Sequence, residues 1–300
     1  MRSVKTFIRG GIVAICCVAG TLAPASAQPP YFPPAELDNL VARIALYPDS
    51  LLAQALAAAT FPDQIPDAAR WADGHHYLSG DALAQAISAD QLPWDPSVQA
   101  LLPFPSVLDM MASDMNWTSA LGNAFLSQRD AVMDAVQRER HRAWDYGYLR
   151  PNAQVAVSYG PYIEISPVNP GYVVVPYYDP RVVYVAPRPG FFVGGAINFG
   201  FGVSIGAAFR PWGWGYNRFG WNTHTVIINN NTWNRTYVNR GTYVHPYQVA
   251  RPAVPARPGP PPRAVEQHTI HERTPVERES PHRGRAPVEE HRHDDREHHR

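Results

Sequence analysis

The stretch FFVGGAINFGFGVSIGAAF, residues 191–209, decides how this chain is read. It carries no charge, and at period two it separates into a bulky and a small set. Phe191, Val193, Ile197, Phe199, Phe201, Val203, Ile205 and Phe209 fall on odd positions. Gly194, Ala196, Asn198, Gly200, Gly202, Ser204, Gly206 and Ala208 fall on even ones, with only Phe192, Gly195 and Ala207 out of step. Side chains alternate across a strand, so the pattern predicts a ribbon with one apolar and one nearly bare face. Its length and apolarity also meet the usual signature of a membrane helix, but a helix would scatter the bulky set around its axis. A single strand of this length would extend about 60 Å at roughly 3.3 Å per residue, so it is expected to fold over. A three-residue loop at Gly200-Phe201-Gly202, pairing Phe199 with Val203, would keep the bulky face on one side.

The flanks point the same way. Short β-branched and aromatic runs at 154–158, 162–166, 172–175 and 182–185 are cut by Asn169-Pro170-Gly171 and Asp179-Pro180, which predicts strands and turns. Downstream, Trp212, Trp214, Tyr216, Phe219 and Trp221 alternate with glycines, followed by three strand-like units at 225–229, 236–239 and 242–245 with Asn-rich turns. The aromatic cluster has three readings: rings that stack on envelope sugars, a belt at a membrane interface, or a lid over the β core. Taken with the ribbon, the predicted membrane or partner contacts are Phe191, Val193, Ile197, Phe199, Phe201, Val203, Ile205, Phe209, Trp212, Trp214 and Trp221.

Upstream, residues 36–148 read as a helical bundle. Leu37, Leu40, Val41 and Ile44 recur at helical spacing. Tyr47-Pro48-Asp49, Phe61-Pro62-Asp63, Trp94-Asp95-Pro96 and Phe104-Pro105-Ser106 each set an aromatic residue beside a proline and an oxygen-bearing side chain. Proline fits the first turn of a helix and Asp or Ser can cap it, so four helix starts are expected, with the acids as caps. The longest helix is expected from about Trp117 to Asp145, and its polar run Gln137–Arg142 reads as a solvated end. The overall expectation is an α+β protein: a helical domain (36–148), then a β-rich Gly/Asn/aromatic module (149–250).

The two ends differ from this middle. Residues 1–27 have the parts of an export signal: Arg2, Lys5 and Arg9, an apolar run from Gly11 to Leu22, and Ala25-Ser26-Ala27 as a small-x-small cleavage site. A Pro-rich lead, 28–35, follows. Both cysteines, Cys16 and Cys17, lie inside this signal, so the mature chain is expected to have no disulfide. Residues 251–300 are rich in Pro, Arg, Glu and His with little that is apolar, which predicts a disordered tail. Seven of the twelve histidines lie there. His291, His293, His298 and His299 flank Asp294 and Asp295 and can chelate zinc, copper or nickel; the competing reading is a polyampholyte that keeps the protein soluble. The formal net charge is +0, which argues against nucleic-acid binding.

The helical region also carries motifs of a known family. Ala45-Leu46-Tyr47-Pro48-Asp49, Ala57-Ala58-Ala59-Thr60-Phe61-Pro62-Asp63-Gln64, Ala69-Arg70-Trp71, Pro93-Trp94-Asp95-Pro96-Ser97-Val98 and Asp134-Ala135-Val136-Gln137-Arg138 resemble the bacterial envelope family catalogued as domain of unknown function 3300. Ile163–Pro170 and Val173–Pro180 are similar to its second block. The resemblance implies secretion and a membrane tendency from the apolar stretch. It supplies no activity and no catalytic residues. No phosphate loop, nucleophile elbow or HExxH motif is present, and no cofactor is expected beyond metal on the tail. Three function classes follow: a non-enzymatic exported envelope protein that meets a membrane, an envelope component or its own copies through the β module; a periplasmic enzyme or binding protein acting on cell-wall material; and a metal buffer working through the tail.

Overall fold

A computed structural model describes residues 28–190, 194–200 and 202–247. The signal-like segment, Phe191, Val193, Phe201 and the His-rich tail, with His291, His293, His298 and His299, lie outside the described residues. Helices fill the first half: α1 (Pro34–Val41), α2 (Asp49–Ala59), α3 (Ile65–Gly74), α4 (Gly80–Ala89), α5 (Pro96–Gln99), α6 (Pro105–Ser113), α7 (Met115–Ser127) and α8 (Arg129–Asp145). The second half is mostly short antiparallel strands: β1 (Val155–Ser158), β2 (Glu164–Pro167), β3 (Tyr172–Val173), β4 (Pro176–Tyr178), β5 (Ile197–Phe199), β6 (Val203–Ser204), β7 (Arg218–Gly220), β8 (Thr225–Ile228) and β9 (Asn231–Thr232). One further short helix, α9 (Pro180–Val183), lies among them. The protein is α+β, as its sequence predicts. Among the described residues no helix is long and apolar enough to cross a membrane.

The proline device does start helices. Pro105 and Pro96 open α6 and α5, and the Asp95 carboxylate accepts the Ser97 amide at 2.8 Å. Helix α2 is the centre of the molecule, buried on every side from Leu51 to Ala59 and packed against α5, α7, β2, β7 and β8. An all-round apolar helix needs such complete cover. The cover comes from both halves of the chain. Phe209, Trp212, Trp214, Phe219, Trp221, Val226, Ile228 and Trp233 share one core with the helices.

Of the apolar stretch, 197–199 and 203–204 are strands, while 194–195 form a turn and Ala207–Trp212 is a 3-10 helix, so the expected ribbon forms only in part. Its strands do not fold on one another. Phe199 and Val203 do not face each other; β5 pairs with β4 (Tyr178↔Ile197, Pro176↔Phe199) and β6 with β3 (Val173↔Val203, Tyr172↔Ser204). Between the two registers the 197–204 side carries one residue more than the 172–178 side, which is the count of a β-bulge. The competing strand wins because Val173, Val174 and Val175 bring apolar cover that a local hairpin lacks. Odd positions still face inward: Ile197 and Phe199 pack on a small core of Leu46, Leu149, Ile163 and Val183, and Val203 and Ile205 join the main core.

Other expectations are corrected in part. The helix predicted over 117–145 is two helices, broken at Gln128, whose backbone leaves the helical region (φ −139°, ψ 47°). Its side chain accepts from the Phe32 amide at 2.6 Å and donates to the Phe32 carbonyl at 3.1 Å, tying down the Pro-rich lead. Residues 182–185 are not a strand, because the Asp179 carboxylate caps Arg181 N at 2.9 Å and starts α9. Only the first of the three Asn-rich units is a strand. At 236–239 Thr236 and Asn239 bond one another's backbone, an alternative to ladder pairing.

Candidate binding cleft

Several sequence-predicted contact residues are internal. Phe209, Trp212, Trp214 and Trp221 are buried, and Ile205 is nearly so. Trp212 donates to Gln99 Oε1 (2.9 Å), Trp214 to the Ala100 carbonyl (3.0 Å) and Trp221 to Asp49 Oδ2 (3.1 Å). Trp214 also packs its ring 5.1 Å from that of Phe104. Their expected role at a partner surface is therefore corrected. These rings share one core with the helices around α2. Ile197, Phe199 and Val203 are half-buried against their own cores.

The predicted cap Asp49 is instead a half-buried residue at the edge of the core. Its carboxylate accepts from Arg140 Nη1 at 2.7 Å and from Trp221, and caps no helix. Arg140 is fully buried; its other N–H groups donate to the carbonyls of Ala45 (2.8 Å), Tyr47 (2.9 Å) and Ile163 (2.8 Å), and its guanidinium lies 5.0 Å over the Trp221 ring. Gln137 exchanges two bonds with Ile163. This cluster locks α8, the 45–49 turn and the approach to β2 together.

Against that locked turn lies a cleft of about 590 Å³. Its walls are Asn39, Ala42, Arg43 and Tyr47 on one side, Ser106 and Met110 of α6 at one end, and the segment from Val175 to Arg181 on the other. The cleft is thus bordered by both of the sequence blocks that carry the family resemblance. Period two along β4 divides the two adjacent tyrosines. Tyr178 turns in and accepts from the Leu46 amide at 3.3 Å, while Tyr184 donates to the Ala42 carbonyl at 3.1 Å. Tyr177 turns out and is 50% exposed. Burial raises the Tyr47, Tyr178 and Tyr184 phenols well above the ordinary tyrosine range, so all three stay protonated. At the rim, Arg43 pairs with Asp114 at 2.9 Å and Arg181 with Asp179 at 3.2 Å. Both carboxylates titrate below the usual range. The Trp117 amide and Arg43 lower Asp114, and Arg181 lowers Asp179.

Sequence reasoning did not mark Tyr177, Asp179, Arg181, Asn39 or Arg43 as site residues. The available signal was the Tyr177-Tyr178 pair itself, since adjacent aromatics in a strand must face opposite ways.

Glu139 stands beside this region with an unusual charge state. It is buried, pairs with Arg142, and leaves Oε2 without a partner. Burial pushes its pKa up to about 7; Arg142 and Arg138 oppose the rise and Asp38 adds to it. A folded pKa raised above the unfolded value makes the native state hold more protons between about pH 4.5 and 7. Stability tied to Glu139 is thus full below about pH 4.5 and is lost as pH rises through 7. In urea unfolding, Glu139→Gln is expected to gain stability relative to the parent at pH 8 and to differ far less at pH 5; equal effects at both pH values would contradict the assignment.

Among the described residues no cluster of three or more His, Cys, Asp or Glu side chains is placed to hold a metal. No solved structure matches the chain. A curated relative, the uncharacterized protein YacH of Escherichia coli (strain K12), is 36% identical over 186 residues, covering 51% of this chain and 30% of that protein. The chain therefore matches less than a third of YacH's length. A family model matches residues 33–251, which takes in both sequence blocks and every wall of the cleft. The chain belongs to the family described as protein of unknown function (DUF3300).

Proposed function

We propose that this protein is exported to the cell envelope and works there as a non-enzymatic binding protein, holding an envelope component in the cleft between the 42–47 turn and the 175–181 segment. The observation that carries the binding role is the division of labour between two neighbouring tyrosines. Tyr178 fixes the wall by accepting a hydrogen bond from the Leu46 amide of the turn, and Tyr177 presents half of its surface to solvent. A fixed wall bearing an exposed aromatic ring is what a binding site needs, because little order has to be gained on contact. The export half rests on the tripartite pattern of residues 1–27. Placing the contact at Tyr177 moves it away from Trp212, Trp214 and Trp221, whose surfaces are taken up by the core.

Two measurements test the reading. Cells making the full chain are fractionated, and the protein is expected in the envelope or periplasmic fraction with residues 1–27 removed. Purified mature protein is then sedimented with isolated envelopes, where Tyr177→Ala is expected to weaken retention at least tenfold. Unprocessed protein in the cytosolic fraction, or a Tyr177→Ala variant retained like the parent, would sink it.

A further inference from the structure

The bare face of the apolar stretch has a use. A Cβ added to Gly200 would stand 3.3 Å from Tyr177 Cε2, and one added to Gly202 would stand 3.3 Å from Tyr172 Cβ. Both tyrosines therefore rest against glycine backbone, where even a Cβ would make a tight contact. Each is about half exposed, so the part not resting on glycine is open to solvent.

Tyr177 thus offers an aromatic surface at the edge of a cleft whose other groups are modest in size and mixed in character. Asn39 and Ser106 each bring hydrogen-bond donors and acceptors together. Met110 and Pro176 add apolar surface, and the Tyr47 hydroxyl rests on Met110 Sδ at 3.9 Å. Arg43 and Arg181 are both already paired with carboxylates. The lining therefore favours neither an anionic nor a cationic ligand. The volume, about 590 Å³, falls within the range of small-molecule sites, roughly 300–1,000 Å³.

Resting on the binding role argued above, we propose that the ligand is an uncharged saccharide, one ring of which stacks on Tyr177 while its hydroxyl or amide groups bond Asn39, Ser106 and the paired guanidinium and carboxylate of Arg181 and Asp179. A sugar ring presents C–H groups on its faces and hydroxyls around its edge, which matches an aromatic surface ringed by small polar groups. A lipid surface would need a broad apolar face, and an acidic polymer would need cations not already paired.

The test uses the mature protein and the tetramer of N-acetylglucosamine as an uncharged probe, titrated by calorimetry at low and high salt. Polygalacturonate serves as the charged comparison. Binding of the tetramer is expected, with less than a twofold change across the salt range. Tyr177→Ala is expected to weaken it about tenfold, Tyr177→Phe to retain it, and Tyr77→Ala, a change at an exposed tyrosine outside the cleft, to leave it unchanged. Gly200→Val, which pushes a branched side chain under the ring, is expected to weaken binding as Tyr177→Ala does. Binding of polygalacturonate alone, with a steep salt dependence, would overturn the saccharide assignment. So would absence of tetramer binding from a protein still retained on envelopes through Tyr177, although the binding role itself would then stand. Failure of both tetramer binding and envelope retention would remove the binding role as well.

Discussion

Arg140→Ala is expected to destabilise the protein by about 3–5 kcal/mol, the range for removing one partner of a buried ion pair. Arg140 is fully buried, and its fork serves one carboxylate and three carbonyls at 2.7–2.9 Å. The truncation leaves Asp49 with only the Trp221 indole and a long contact from the Ile165 amide at 3.4 Å, takes the arginine donor from the carbonyls of Ala45 and Tyr47, and leaves the Ile163 carbonyl with Gln137 alone. Arg140→Lys keeps the charge but brings a single ammonium where a planar fork is required, so it is expected to recover only part of the loss. Urea unfolding at pH 7 measures both. In the double variant Asp49→Asn with Arg140→Met, the loss is expected to be smaller than the sum of the single changes, because removing both charges leaves none stranded. A loss below about 1 kcal/mol for Arg140→Ala would show that the cluster is solvated in solution, unlike the buried group described here.

Gly122→Ala is the second large effect. The added Cβ would lie 1.9 Å from the Ala59 carbonyl oxygen and 2.6 Å from its carbon, at the point where α7 crosses the end of α2. Those atoms are backbone in a fully buried helix, so no side chain can swing away. The two helices must separate, and a cost of about 3 kcal/mol, the upper end of ordinary overpacking, is expected. For a core of this size that corresponds to a fall in Tm of roughly 6–12 °C. A calorimetric scan within about 2 °C of the parent would mean the crossing is looser than described.

These two sites mark where sequence could and could not be read. Strand character at 197–199 and 203–204 was legible, since large and small side chains alternate whatever they pair with, whereas the turn into the 3-10 helix at Ala207 was not. The partner was not, because a local hairpin and a distant strand both preserve alternation, and only the burial of Val173–Val175 decides between them. Helix starts were visible through proline. The break at Gln128 was not, because glutamine is a good helix former and its turn is set by Phe32, far away in sequence. Arg140 was lost inside a polar run that reads as a wet surface. Its position nonetheless continues the buried stripe of Val132 and Val136 at four-residue spacing, and that phase was the missed clue. Tyr177 and Tyr178 were read only as part of the second family block, although a strand must send them opposite ways.

The same molecule keeps a second buried arginine, and it bears on how the chain is made. Arg235 donates to the Thr60 carbonyl at 2.6 Å and lies 3.7 Å over the Phe61 ring, bridging 175 positions of sequence. A ribosome releasing roughly 5–20 residues per second therefore delivers the end of α2 about 10–35 s before the side chain that closes over it. For the early part of that interval α2, the most apolar of the described helices, waits for the cover that β2, β7 and β8 bring. Nascent chains at this stage are the ones a holding chaperone would find.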